Sequence, residues 1–334
     1  MFLILFFLFF TTLLFWNFVW KRKGLPPGPI PLPIFGNAFS MNKSIYEQFQ
    51  IWAKEYGPVY TIWIGEDPTV IVTDYEIMRD LFIKEGDVYA GRNFLADLFK
   101  TLSAIKDDYG GVIRTEGDPW KVVRRFGLQS MRNLGVGRAG LEKHLLEDME
   151  RFIEQIKEEI SKNGGYNVNL QSKIDRLSGT TVNRVIFGYP FEDEHMSEFY
   201  ELKKRMEEQA FLLSSLTGRM LMKQTPEEKG EPNDLLDCFL DQIEAEKSEY
   251  FSLKSITPFC FDLFLAGQET TSTTLSYLIL YLILDQRVQS KMHEELDRLE
   301  EEKGRNGFDN SVTQADRGKL PFLNAVINVR GIEK

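Results

Sequence analysis

Phe259-Cys-Phe-Asp-Leu-Phe-Leu-Ala-Gly-Gln-Glu-Thr-Thr-Ser-Thr-Thr-Leu275 lies in the middle of a long apolar run, 255–284, that predicts a central helix. At ~1.5 Å per residue such a helix is about 45 Å long, enough to cross a globular domain. Two small residues, Ala266 and Gly267, precede an acid and a hydroxyl, Glu269 and Thr270. Small side chains let a flat group approach the backbone. Ser and Thr in a helix hydrogen-bond to the carbonyl four residues earlier, which would join Thr270 to Ala266 and Thr271 to Gly267. The expectation is a groove beside a buried acid and hydroxyl. The run 270–274 has poor helix propensity, so tertiary contacts must hold it. A second membrane span fits the length, but Asp262, Gln268 and Glu269 would then sit in hydrocarbon at a cost of several kcal/mol each. A plain core helix with a solvated polar stripe fits the same pattern.

The totals allow a substantial core. With 334 residues, 43% of them hydrophobic and 27% charged, the chain makes one large or two smaller ordered domains. A net charge of -10 leaves no basic excess to neutralise phosphates, which excludes general nucleic-acid binding. The 26 phenylalanines suit an apolar interior or pocket. Cys238 and Cys260 lie in apolar, helix-like segments without disulfide or metal spacing, as expected in a reducing compartment. His144, His195 and His293 are dispersed among charged residues and read as surface.

From the N-terminus, 2–20 is an almost unbroken apolar run near the length of a bilayer span, followed at once by Lys21, Arg22 and Lys23. That order of charge predicts a retained anchor at 1–20 with the body cytosolic. A cleaved signal peptide would want a basic n-region and a small-residue cleavage site. Gly24-Leu-Pro-Pro-Gly-Pro-Ile-Pro-Leu-Pro-Ile-Phe-Gly-Asn37 makes 21–37 a basic, proline-rich hinge, expected to be stiff and extended. A polyproline ligand for an adaptor domain is the alternative. A helix over 45–56 stops at Gly57-Pro58, and the β-branched runs 59–64 and 69–73 flank Gly65-Glu-Asp-Pro68 as a hairpin. Asp74 caps a helix over 75–84.

Gly117-Asp118-Pro119-Trp120-Lys-Val-Val-Arg124-Arg125 is the second informative stretch. Asp118 suits an N-cap and Pro119 a first helical position. Trp120 and Arg124 are four apart and share a face. An indole N–H beside a guanidinium makes a site for an anionic group; a surface Trp with Arg stacked on it by cation–π attraction fits equally. Arg92 is a further cation with the same two readings. Helices follow over 141–162, 169–187 and 199–222, then a polar loop over 223–233, then a helix capped by Asn233 or Asp234 and running to 247. The charged run 287–302 reads as a solvated face. The segment 320–328 starts another helix.

Together these residues resemble the membrane-anchored eukaryotic cytochromes P450, the haem-thiolate monooxygenases. The matching parts keep the family's order: the anchor, the Pro-Pro-Gly-Pro hinge, Trp120-Lys-Val-Val-Arg124-Arg125, Ala266-Gly267-Gln-Glu269-Thr270-Thr271 and Leu320-Pro-Phe-Leu-Asn-Ala-Val-Ile327. The resemblance implies a mainly α fold with a small β region behind a transmembrane anchor, the cytochrome P450 domain occupying 38–328. It implies haem b, with Trp120, Arg124 and Arg92 on its propionates and Ala266 and Gly267 leaving room for dioxygen and substrate. Glu269 and Thr270 would relay protons to the dioxygen being split. Electrons would come from NADPH through the membrane-bound NADPH-cytochrome P450 reductase, and the substrate would be a lipophilic small molecule. Substrate choice would fall to 94–113 and 199–222.

One departure is large. The family holds its iron by a thiolate in a Phe-x-x-Gly-x-x-x-Cys-x-Gly loop, which these 334 residues do not contain. The family's Glu-x-x-Arg should begin near Val329, where the chain reads Val329-Arg-Gly-Ile-Glu-Lys334. The expectation is a fold incomplete at its C-terminus, a divergent tail at 329–334, and a truncated or alternatively spliced product. An apolar groove open to solvent beside Ala266 and Gly267 follows, with low stability and a tendency to aggregate.

Overall fold

The structure is a computed structural model and describes residues 2–40, 44–92, 110–113, 115–136, 139–162, 164, 168–191, 196–208, 234–245, 248–306 and 312–328. His195, the loop over 223–233, the tail at 329–334 and most of 94–113 and 209–222 lie outside the described residues. The chain divides into two units, Met1–Gly91 and Arg92–Lys334. Among the described residues it is mainly α with one two-stranded sheet.

In the first unit α1, Phe2–Phe15, continues as a π turn over Trp16–Trp20. Leu3–Trp20 is long and apolar enough to cross a membrane. α2, Ile45–Tyr56, has Ser44 as its cap and stops at Gly57, whose φ of 99° suits glycine. β1, Val59–Ile64, pairs antiparallel with β2, Asp67–Val72. The turn is tighter than the sequence predicts, and Pro68 lies within β2 opposite Trp63. β2 is an edge strand, where a missing N–H is tolerated. The Asp74 carboxylate accepts the Ile77 N–H (2.9 Å) at the start of α3, Tyr75–Met78, which runs on as a π turn to Lys84.

The proline-rich segment is not a free spacer. Prolines lack N–H groups but keep their carbonyls, and β1 has outward N–H groups to satisfy. Thr61 N–H donates to Pro27 O (2.9 Å), while Trp63 N–H donates to Asn37 Oδ1 (2.8 Å). The backbones approach so closely that a Cβ at Gly28 would lie 1.9 Å from Thr61 O. The basic cluster is engaged as well: Lys21 Nζ pairs with Glu66 (2.8 Å) and lies 4.5 Å from the Trp63 ring centroid.

The second unit contains α4, Gly117–Asn133; α5, Ala139–Lys162; α6, Leu170–Phe187; α7, Met196–Glu208; and α8, Leu235–Glu244. After them come α9, Leu253–Leu284, and α10, Gln286–Asn306, then a 3-10 turn over Gln314–Lys319 and α11, Pro321–Asn328. α4 begins earlier than expected, with Glu116 at the cap position and Pro119 at the third helical residue. Proline fits there because first-turn N–H groups have no intrahelical acceptor. α9 is the central helix. Ser252 and Ser255 cap it reciprocally. Its N-terminal half packs in a core where Phe126 meets Phe239, Phe251 and Phe259 at centroid separations of 5.4, 5.2 and 5.9 Å. At Gly267 α9 runs close to α6: a Cβ there would lie 2.8 Å from Val182 Cγ2.

Candidate functional site

The cationic face forms on α4 and on the residue that opens the second unit. The Arg92 and Arg124 guanidinium carbons lie 4.7 and 5.5 Å from the centroid of the Trp120 ring. Both stacks are therefore cation–π contacts. The Trp120 Nε1–H is nevertheless buried with no hydrogen-bond partner among the described residues. A buried donor without a partner is costly, so stacking and anion binding are compatible here: the ring faces hold the cations and its edge keeps a donor. Arg92 is fixed by its own N–H on Glu116 Oε2 (2.7 Å).

A residue not singled out for function in the sequence holds this region to the central helix. Asp262 is buried in α9, and its Oδ2 accepts the N–H groups of Val112 (2.7 Å) and Ile113 (2.8 Å). Gly111, at φ 82°, makes the approach possible, since a Cβ there would lie 2.2 Å from that oxygen. Thr115 Oγ1 then donates to Gly111 O (2.7 Å), which leads the chain into Glu116 and α4. A Gly-Gly pair ahead of a capped helix and one acid in an apolar helix were the available signals.

On α9 the predicted back-bond forms: Thr270 Oγ1 donates to Ala266 O (2.5 Å). Thr274 and Ser276 repeat it on Thr270 O and Ser272 O, each at 2.8 Å, and Thr271 makes none. Ala266, Glu269, Thr270 and Thr273 are exposed on one face. The expectation of a buried acid and hydroxyl is thus corrected. With 3.6 residues per turn, Gln268 and Ser272 share the inward side and are buried, while Asp262 lies on the same face as Ala266 and is buried beneath the loop of Val112 and Ile113. Gly267 faces α6 and spaces two helices, while Ala266 faces outward. The exposed face continues through Tyr277, Leu280, Tyr281 and Leu284, so it changes from polar at 269–273 to apolar at 277–284. Asp262, one turn before Ala266, is the link between this face and the Trp120 cluster.

Neither cysteine is poised as a thiolate. Burial pushes the Cys260 thiol up to about 12. Cys238, half-buried, is also raised by burial, partly offset by a hydrogen bond from Ser130. His144 and His293 are exposed. Among the described residues no three His, Cys, Asp or Glu side chains gather as a metal site.

Residues 26–223 and 219–328 match the sequence profile of the family described as Cytochrome P450. The chain belongs to the cytochrome P450 family. Cytochrome P450 2H1 of Gallus gallus is 30% identical over 351 residues, covering 94% of this chain and 68% of that protein. Cytochrome P450 2C23 of Rattus norvegicus is likewise 30% identical over 351 residues, with the same coverage. Cytochrome P450 2C44 of Mus musculus is 30% identical over 345 residues, covering 91% of this chain and 66% of that protein. The P450 family implies haem. Two arginines around an indole with an unpaired N–H suit the acid groups of a haem, and the small, exposed Ala266 suits its flat face. The two cysteines do not suit its iron.

Proposed function

We propose that this chain carries the acid-clamping and oxygen-facing parts of a haem-thiolate monooxygenase site acting on lipophilic small molecules of xenobiotic, fatty-acid or steroid-like kind. The observation that carries the reading is the buried, unpaired Trp120 Nε1–H between two guanidinium groups. Bound haem b would supply the activation of dioxygen, with electrons from NADPH through NADPH-cytochrome P450 reductase. Trp120, Arg92 and Arg124 would hold its carboxylates, and Asp262 would keep the loop before Glu116 in place. Ala266 would leave space beside the helix, whereas Gly267, expected to do the same, instead lets α9 pack closely on Val182 of α6. Thr270 would orient a water through its hydroxyl, and Glu269, exposed, would exchange protons with solvent and hand them inward. Residues 1–20 would anchor the chain in the endoplasmic reticulum membrane with 38–328 cytosolic, 21–37 joining them and 329–334 as a divergent tail.

Haem titration of the purified chain, followed by absorbance, tests the clamp. Trp120→Phe removes the N–H and keeps the ring; Arg124→Gln removes one cation. Each is expected to weaken haem binding about tenfold, the value of one charge-assisted hydrogen bond. Unchanged affinity in both variants sinks the assignment.

A second reading has its own observation. With Cys260 buried and its thiol raised to about 12, these 334 residues bring no ready thiolate. On this reading the polypeptide by itself is a non-catalytic, membrane-tethered remnant that binds lipophiles or a partner.

A further inference from the structure

Asp175 of α6 is buried, and its two oxygens serve three helices. Oδ1 accepts from Ser272 Oγ of α9 and from Gln171 Nε2 of its own helix (3.0 Å). Oδ2 accepts from Lys203 Nζ of α7. Gln171 Nε2 also reaches Ser272 Oγ (3.2 Å). The Lys203 and Asp175 side chains are 19% and 8% exposed, so little solvent screens the pair.

A second lock lies one turn away. Phe199 of α7 is fully buried against α6, where a Cβ on Gly179 would come within 2.3 Å of its ring. Phe199 meets Phe191 at a centroid separation of 5.2 Å, and Phe191 meets Phe264 of α9 at 6.2 Å. Residues 175 and 179 thus face 203 and 199 in antiparallel register, each pair four apart on its helix. The ionic contact continues to α9 through Ser272 and the aromatic one through Phe264.

We propose that Asp175 is a positioning residue that couples α7 to the central helix, so that displacing α7 loosens α9 around Ser272. The carboxylate satisfies both helices only when both are in place. If Lys203 withdraws, a buried charge is left with Ser272 and Gln171 as its described donors and must draw in water, which disturbs the Ser272 contact. Ser272 stands two residues past Thr270, whose hydroxyl closes on Ala266. α7 includes the start of the 199–222 segment expected on the substrate side. That Asp175 would report substrate at α7 to the acid and hydroxyl of α9 rests on the proposed function; the coupling itself does not.

Amide hydrogen exchange on the full chain in detergent, without haem, tests the coupling. Lys203→Met is expected to speed exchange about tenfold in α7 and also at 270–276 of α9. Ser272→Ala is expected to act in reverse, loosening α9 and with it α7, because coupling is reciprocal. Lys203→Arg, which keeps the cation, is expected to restore both segments. Lys203 lies at the rim of the cluster, its side chain 19% exposed, and Ser272→Ala removes one hydroxyl, so both disturb the buried carboxylate less than Asp175→Asn does. Changes confined to the substituted helix overturn the proposal, as does a uniform rise that includes α10 and α11. The readout is independent of haem, so its failure leaves the haem reading untouched, and failure of the haem titration leaves the coupling untouched.

Discussion

Replacing Asp262 by Leu leaves the N–H groups of Val112 and Ile113 without their acceptor in a partly buried loop. Each unmade bond costs about 1–3 kcal/mol, so Asp262→Leu is expected to lower stability by about 2–4 kcal/mol in urea unfolding and to open 110–113 to proteolysis. Asp262→Asn, which keeps a carbonyl oxygen, is expected to cost less. A loss below about 0.5 kcal/mol, the usual size of a neutral surface change, would show that other contacts hold the loop. Cys260 makes a second prediction. Only the thiolate alkylates readily, and burial raises this thiol to about 12. Iodoacetamide at pH 8 is expected to label Cys238 first, as read by peptide mass; prior labelling of Cys260 contradicts its burial. What was legible at this scale were relations inside one helix, Trp120 with Arg124 and Thr270 with Ala266, because helical spacing fixes them. The Asp262 contacts span 149 and 150 residues of chain, and no local pattern announces them.

Among the elements, α9 was legible in position but not in orientation. Its observed span, Leu253–Leu284, differs from 255–284 by the capping pair Ser252 and Ser255, a weaker signal than Ser followed by Glu. Its faces were misread because it is apolar nearly all round, and such a helix does not declare which side is covered. Gln268 shows the difficulty, since it is fully buried with both amide atoms unpaired among the described residues. The charged run 287–302 was read as solvated, yet Glu295 is buried and accepts the N–H groups of Phe322 (2.9 Å) and Leu323 (2.8 Å) at the start of α11. The turn before α11 carries a pH prediction. The Lys303 ammonium beside Asp316 (2.5 Å), with the Thr313 N–H and hydroxyl, holds that carboxyl down at about 2. A depressed acid contributes stability that is present above its ordinary value near 4 and lost as pH falls toward 2. Exchange across 312–320, taken relative to the rate of an unstructured amide at the same pH, is therefore expected to rise over that window, by about 1 kcal/mol of local stability after solvent screening. No rise between pH 4 and 2 would mean the ion pair does not hold the turn.

At the scale of the molecule, the class of fold, the anchor-like helix and the order of elements were readable because motifs and breakers mark them at intervals along the chain. The docking of the proline-rich segment on β1 was not, since what holds it is the Pro27 carbonyl and the backbone and side chain of Asn37, in a stretch whose sequence signature is stiffness. In the second unit the stripe of Tyr277, Leu280, Tyr281 and Leu284 is open, Leu284 being 70% exposed, but it lies about three to five turns beyond Ala266 and Gly267, where the apolar groove was expected, and the residues exposed beside Ala266 are the polar Glu269, Thr270 and Thr273. On the proposed function, the residues of the second unit form one side of a haem site whose clamp is Arg92, Trp120 and Arg124, and neither Cys238 nor Cys260 is the iron's thiolate. A reduced, carbon monoxide-bound difference spectrum of the purified, haem-loaded chain tests that most directly. No thiolate-type Soret band is expected, and the appearance of one would overturn the exclusion of both cysteines.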